Sequence, residues 1–159
     1  MEFRNLGRSG LQVSVAGLGT NQLGGRLDDA ESARLVHAAL EAGVNLFDDA
    51  DIYGGRGKSE VALGKALAGR RHEAVIVSKF GNPMGDGPMR AGGSRRYIMQ
   101  AVEDSLRRLG TDYIDLYYQH VPDQRTPHEE TVRAMQDLVA QGKVRYIATS
   151  NLAAWQIVD

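Results

Sequence analysis

Val75-Ile76-Val77-Ser78-Lys79 decides the fold. It is a short, nearly continuous apolar run that ends on an ammonium. Strands with one wet face alternate apolar and polar residues, whereas parallel strands buried on both faces do not. Two further runs read the same way: Val44-Asn45-Leu46-Phe47-Asp48 and Ile114-Asp115-Leu116-Tyr117-Tyr118-Gln119-His120. Strand signals also start near Ala16 and Val144, so the five starts are spaced by 28, 31, 39 and 30 residues. Each spacing is the size of one βα unit. Asp48, Lys79 and His120 close three of these runs, and Tyr53 follows Asp48 by five residues. In a barrel of parallel strands, active sites are built at that end.

The segments between the strands read as amphipathic helices. Ser94 caps one whose stripe is Ile98, Ala101, Val102, Ser105 and Leu109, and Gly110 stops it. Asp28 or Asp29 opens another, with Val36, Ala39 and Leu40 inward and Gly43 at its end. Ser59 opens a shorter helix running to Gly69. Thr126-Pro127-His128-Glu129 reads as a capping box, with Val132, Met135 and Val139 inward and Gly142 closing the segment. Ahead of the repeats, Phe3–Leu6 and Gln12–Val15 flank a Gly7-Arg8-Ser9-Gly10 turn. They read as an antiparallel hairpin at the bottom of the barrel. The longest loop, about 81–93, follows the Lys79 strand and so lies at the mouth.

Composition sets bounds. The chain has 159 residues, enough for one domain with a real core. It is 42% hydrophobic and 25% charged, which argues against disorder. The net charge of -1, with both signs interspersed, argues against nucleic-acid or membrane-surface partners. No apolar run reaches the roughly 18 residues of a membrane helix, and the N-terminus lacks the apolar core of a signal peptide. The cytoplasm is the expected compartment. There is no cysteine, which excludes disulfides and thiolate chemistry. His120 and Asp123 lack a third ligand at metal-binding spacing, so no metal is expected. Two nucleotide-like patterns fail. Gln22 stands where the third glycine after Gly17-Leu18-Gly19 is needed, and Ile52 where a phosphate loop ending at Gly57-Lys58-Ser59 needs its first.

The four polar residues suit one chemistry. A free phenol titrates near ~10, and an ammonium beside it stabilises the phenolate left when the proton departs. Asp48 can hold Lys79 charged and oriented, and His120 can hydrogen-bond a substrate oxygen or relay a proton. No side chain supplies a hydride, so a reduction needs a cofactor. Singly, each residue has a structural explanation. Together, at successive strand ends, they point to a proton-donating site for a carbonyl.

The motifs carry a resemblance. Gly43-Val44-Asn45-Leu46-Phe47-Asp48-Asp49-Ala50-Asp51-Ile52-Tyr53-Gly54 resembles the aldo-keto reductase motif around its catalytic Asp and Tyr. Ser78-Lys79-Phe80-Gly81 resembles the lysine strand, and Asp112–Asp123 the histidine motif. Gly142–Asn151 is similar to the segment whose Ser and Asn contact the nicotinamide carboxamide. The loop after Lys79 is most similar in length to the bacterial and potassium-channel beta-subunit branch. The resemblance implies an α/β fold, a partial (β/α)8 TIM barrel of about five βα units with an N-terminal β-hairpin, as one domain over 1–159. It implies an NADPH-dependent oxidoreductase reducing aldehydes and ketones. Tyr53 is then the general acid, with Asp48, Lys79 and His120 as partners. Gly19, Thr20, Asn21, Asp48, Ser150 and Asn151 lie at the cofactor. Asp49 departs from a usual Thr or Ser, and Ala148 from a common Gly.

Such barrels need about 250 residues and rarely fewer than about 200, and strands six to eight are missing here. An isolated five-strand sheet exposes two edges and an inner face. A homo-oligomer or a complementing C-terminal segment is the expected cover. Two other readings follow: a catalytically impaired or repurposed half-barrel acting as an oligomeric scaffold or binding module, and a cofactor-independent lyase or isomerase.

Overall fold

The computed structural model describes residues 1–158; Asp159 lies outside them. The chain opens with β1 (Phe3–Asn5) and β2 (Gln12–Ser14), an antiparallel hairpin with Phe3 opposite Ser14. Then β3 (Gly17–Gly19), β4 (Leu46–Asp48), β5 (Val75–Phe80), β6 (Ile114–Gln119) and β7 (Val144–Thr149) form one parallel sheet in chain order. The helices between them are α1 (Asp29–Glu41), the single turn α2 (Tyr53–Arg56), α3 (Lys58–Ala66), α4 (Arg95–Leu109) and α5 (His128–Ala140). The start of a further helix, α6 (Trp155–Val158), follows β7. This is the expected partial barrel, with β3 and β7 as its edges.

Register assigns the two faces of the sheet, because paired residues on neighbouring strands share a face. Phe47 pairs with Ile76, and Phe80 with Gln119. Phe47, Ile76, Phe80 and Tyr117 meet Leu63, Ile98, Val102 and Leu138 from the helices in one buried cluster. The opposite face carries Asp48, Val77, Leu116 and Tyr146 in one row, and Lys79, Tyr118 and Ala148 in the next. The hairpin sits at the N-terminal end of the strands. Asn45, just before β4, accepts from Ser14 N–H at 2.7 Å and donates to Gln12 O at 3.2 Å.

Most helix ends follow local rules. Asp28 accepts from Glu31 N–H while the Glu31 side chain accepts from Asp28 N–H, a complete capping box. Ser94 accepts from Tyr97 N–H, and Gly110 closes α4 in the left-handed conformation. Two expected caps are absent. Thr126 does not cap α5, because its hydroxyl donates to Asp123 instead, and Pro127 takes the N-cap position without a side-chain bond. Ser59 lies inside α3, where its hydroxyl donates to Thr20 O at 2.7 Å, and the helix ends at Ala66. The inward stripe of α5 is also rotated. Thr131, Ala134, Met135 and Leu138 are buried, while Val132 and Val139 are exposed. Small Ala134 allows close packing, and Thr131 donates to Gly93 O at 2.8 Å, which together select that face.

The region after β7 is apolar on the helix side. A groove of about 730 Å³ runs between α5, β7 and α6, lined by Val132, Met135, Ile147, Trp155 and Ile157. Among the described residues, no helix is long and apolar enough to cross a membrane.

Candidate active site

Asp48 ends β4, and its backbone carbonyl is held from below. Thr20 donates to it twice, through N–H at 3.1 Å and through its hydroxyl at 3.0 Å. Thr20 is fully buried, whereas its neighbours Gly19 and Asn21 are exposed at the mouth. Tyr53 begins the turn that follows, with its N–H donating to Ala50 O at 3.1 Å. The next residue must be glycine. Gly54 has φ +64°, and a Cβ there would sit 2.6 Å from both Leu23 O and Ser59 N. A left-handed backbone with no room for a side chain fixes where the phenol emerges.

Lys79 organises the cluster. Its ammonium is buried, and its three protons are directed to Asp48 Oδ1 at 2.8 Å, Asp49 O at 2.8 Å and Tyr53 Oη at 3.3 Å. It also lies 4.7 Å from the Tyr53 ring centroid. An ammonium only donates. The phenol oxygen therefore accepts from Lys79, and its own proton is free to point into the mouth.

His120 follows β6 and packs edge-on against Tyr53, with ring centroids 5.9 Å apart. Its backbone N–H donates to Phe80 O, and its carbonyl accepts from Ser150 Oγ and Asn151 Nδ2, each at 2.8 Å. Ser150 and Asn151 thus stand beside His120. The two amide protons of Asn151 go to His120 O and Ser150 Oγ, which leaves its Oδ1 as an acceptor. Burial, and then the Lys79 charge, push the His120 ring below the ordinary histidine range. Its Nδ1 lies 2.9 Å from Asn82 Nδ2.

Behind Asp48 is a second acidic layer that faces the helices. Asp49 and Asp51 are buried, with Asp49 raised to about 7 and Asp51 to about 8, in each case by burial and then by Glu60. Asp49 Oδ1 accepts from Ala50 N–H. Its Oδ2 has no partner, since the nearby Thr20 and Ser59 hydroxyls give their protons to Asp48 O and Thr20 O. Neither oxygen of Asp51 has a partner. Glu60 accepts from Arg108 at 2.6 Å and Ser78 at 2.5 Å.

The structure brings Asp48, Tyr53, Lys79 and His120 together and places Gly19, Asn21, Ser150 and Asn151 around them. Asp123 has another role. It accepts from Gly93 N–H, Arg125 N–H and the Thr126 hydroxyl, clamping two mouth loops. Burial raises its carboxyl, but these three donors outweigh that and hold it below the usual range. No group of three metal ligands occurs among the described residues. Sequence reasoning missed Asn82, which touches His120, and Tyr118, which shares a face with Lys79. The loop-length signal placed Asn82 at the mouth, and alternation along β6 puts Tyr118 on the His120 side.

A model described as the Aldo/keto reductase family matches residues 16–159. A probable voltage-gated potassium channel subunit beta from Oryza sativa subsp. japonica is 42% identical over 162 aligned residues, covering 100% of this chain and 49% of that protein. One of the same description from Arabidopsis thaliana is 40% identical, again over 100% and 49%. The solved holo form of an aldo-keto reductase from Bacillus halodurans superposes with a TM-score of 0.86 at 41% identity, covering 94% of this chain and 50% of that one. The chain spans about half the length of the curated relatives it matches.

Proposed function

This chain belongs to the aldo/keto reductase family, and on that premise we propose that its 159 residues form the proton-donating half of a carbonyl-reducing site. As a separate polypeptide it is a catalytically impaired half-barrel. The carrying observation is the Lys79 ammonium, held between Asp48 and the Tyr53 oxygen at 2.8 and 3.3 Å. Because the ammonium donates to the phenol oxygen, the phenol proton is left for a substrate oxygen. Tyr53 is the general acid, and His120 orients the carbonyl.

The residues present fit the nicotinamide end of NADPH. Gly19 and Asn21 are exposed beside Asp48, and Asn151 Oδ1 is free to accept from a carboxamide. When bound, the reduced nicotinamide supplies the hydride. In barrels of this kind the phosphate-binding loops commonly follow strands 7 and 8, beyond the five parallel strands formed here. Binding of the cofactor's phosphates therefore requires further chain. The substrate class is an aldehyde or ketone.

The apolar strip favours a second reading. Val132, Ile147, Trp155 and Ile157 lie exposed beside the open β7 edge, as in a module that assembles with another surface. The channel-subunit description of the plant relatives suits this reading. Fusing residues 1–159 to the C-terminal half of a family member separates the two. NADPH-dependent aldehyde reduction should appear in the fusion and be near background in the chain alone. A fusion that folds and binds NADPH but reduces no carbonyl would leave the scaffold reading.

A further inference from the structure

The contact between Asn82 and His120 has a chemical consequence. Asn82 follows Gly81, whose φ of +119° only glycine adopts readily, at the base of the 81–93 loop. That base is closed by Gly92 N–H donating to Gly81 O at 2.9 Å and by Asp123 accepting from Gly93 N–H at 2.7 Å. Tyr97 Oη lies 3.4 Å from Asn82 O, within donating distance. The side chain therefore extends from an anchored point. Its Nδ2 lies 2.9 Å from His120 Nδ1, and an amide nitrogen can only donate. With the amide in this orientation, a hydrogen bond here gives Nδ1 the lone pair and places the single proton of the neutral ring on Nε2.

We propose that Asn82 is a positioning residue that locks His120 in the Nε2–H tautomer, making the ring a hydrogen-bond donor toward the mouth. The proposal rests on the reductase reading above, in which that donor meets the substrate oxygen. The surroundings agree. The ring is edge-on to Tyr53, and the ammonium of Lys79 and carboxylate of Asp48 are the charges nearest to it, with the Tyr118 phenol on the same sheet face. Burial and Lys79 favour the neutral ring, which Asn82 requires, because a proton on Nδ1 would oppose the amide protons.

Substituting Asn82→Asp tests this with almost no change of shape. A carboxylate accepts, so it should draw the proton to Nδ1 and favour the imidazolium. Long-range proton–nitrogen spectra of the chain, with His120 identified by the signal lost in His120→Gln, report the tautomer directly. We expect Nε2–H in the wild-type chain. In Asn82→Asp we expect a proton on Nδ1 and a titration midpoint raised by about one unit or more. In Asn82→Ala we expect a mixture of tautomers. A wild-type His120 protonated on Nδ1 would overturn the proposal, and that result needs no variant to fold. A fixed Nε2–H tautomer that persists in both folded variants would also overturn it. These spectra need neither cofactor nor turnover, so a failure of the reductase reading would leave their outcome untouched.

Discussion

Tyr53→Phe should lower carbonyl reduction by about 10²–10⁴-fold, the usual worth of a positioned general acid, measured in the fusion that completes the barrel. The loss should fall on kcat, with KM little changed, because the missing proton matters in the transition state. The ring itself stays. Phe keeps the edge-on contact with His120 and the ring near Lys79, so folding should survive. Only the oxygen that accepts from Lys79 at 3.3 Å is removed. Turnover unchanged by this substitution would mean that the proton comes from elsewhere on the mouth. Tyr118, on the same face as Lys79, would then be the first residue to test.

The second large effect concerns the buried acidic layer. The folded-state values of Asp49 and Asp51, about 7 and about 8, lie above the ordinary 3.8. The folded chain therefore binds these protons more tightly than the unfolded chain does. Their contribution is most favourable below the unfolded value and is lost as pH rises toward 7–8. The double variant Asp49→Asn, Asp51→Asn cannot lose those protons. Its advantage over wild type should be small near pH 4 and grow to several kcal/mol at pH 8.5, bounded above by about 10 kcal/mol from the two shifts together, or about 10 °C or more in Tm. Thermal melts of both proteins across that range check the sign. A constant difference in Tm from pH 4 to 8.5 would show that these carboxyls titrate normally. Asp49→Thr alone should capture part of the gain.

The legible parts of this fold are the local ones. The runs ending at Asp48, Lys79 and His120 became β4, β5 and β6, and Ser94 and Asp28 cap their helices. The meeting of Asp48 with Lys79 followed from placing both at neighbouring strand ends. The failures share one cause, which is competition from partners outside the local pattern. Thr126 has the sequence of a cap, but Asp123 takes its hydroxyl; Ser59 likewise gives its proton to Thr20, far back in the chain. Val132 and Val139 have helical spacing, yet Thr131 and Ala134 face inward because Gly93 accepts from Thr131. Asn82 meets His120 across 38 residues of chain, which no local spacing reveals. The Asp49–Asp51–Glu60 layer was visible only as the departure at Asp49, since its burial depends on how α3 and α4 pack behind the sheet.

Cofactor binding tests most directly the claim that these residues hold the proton-donating half of a site and not the phosphate-binding half. NADPH fluorescence should be followed as the purified chain and the completed fusion are each titrated. Saturable binding in the micromolar range is expected for the fusion, and no saturation below millimolar for the chain alone. Saturable micromolar binding by the chain alone would contradict it, because the cofactor's phosphates would then have found their partners within these 159 residues.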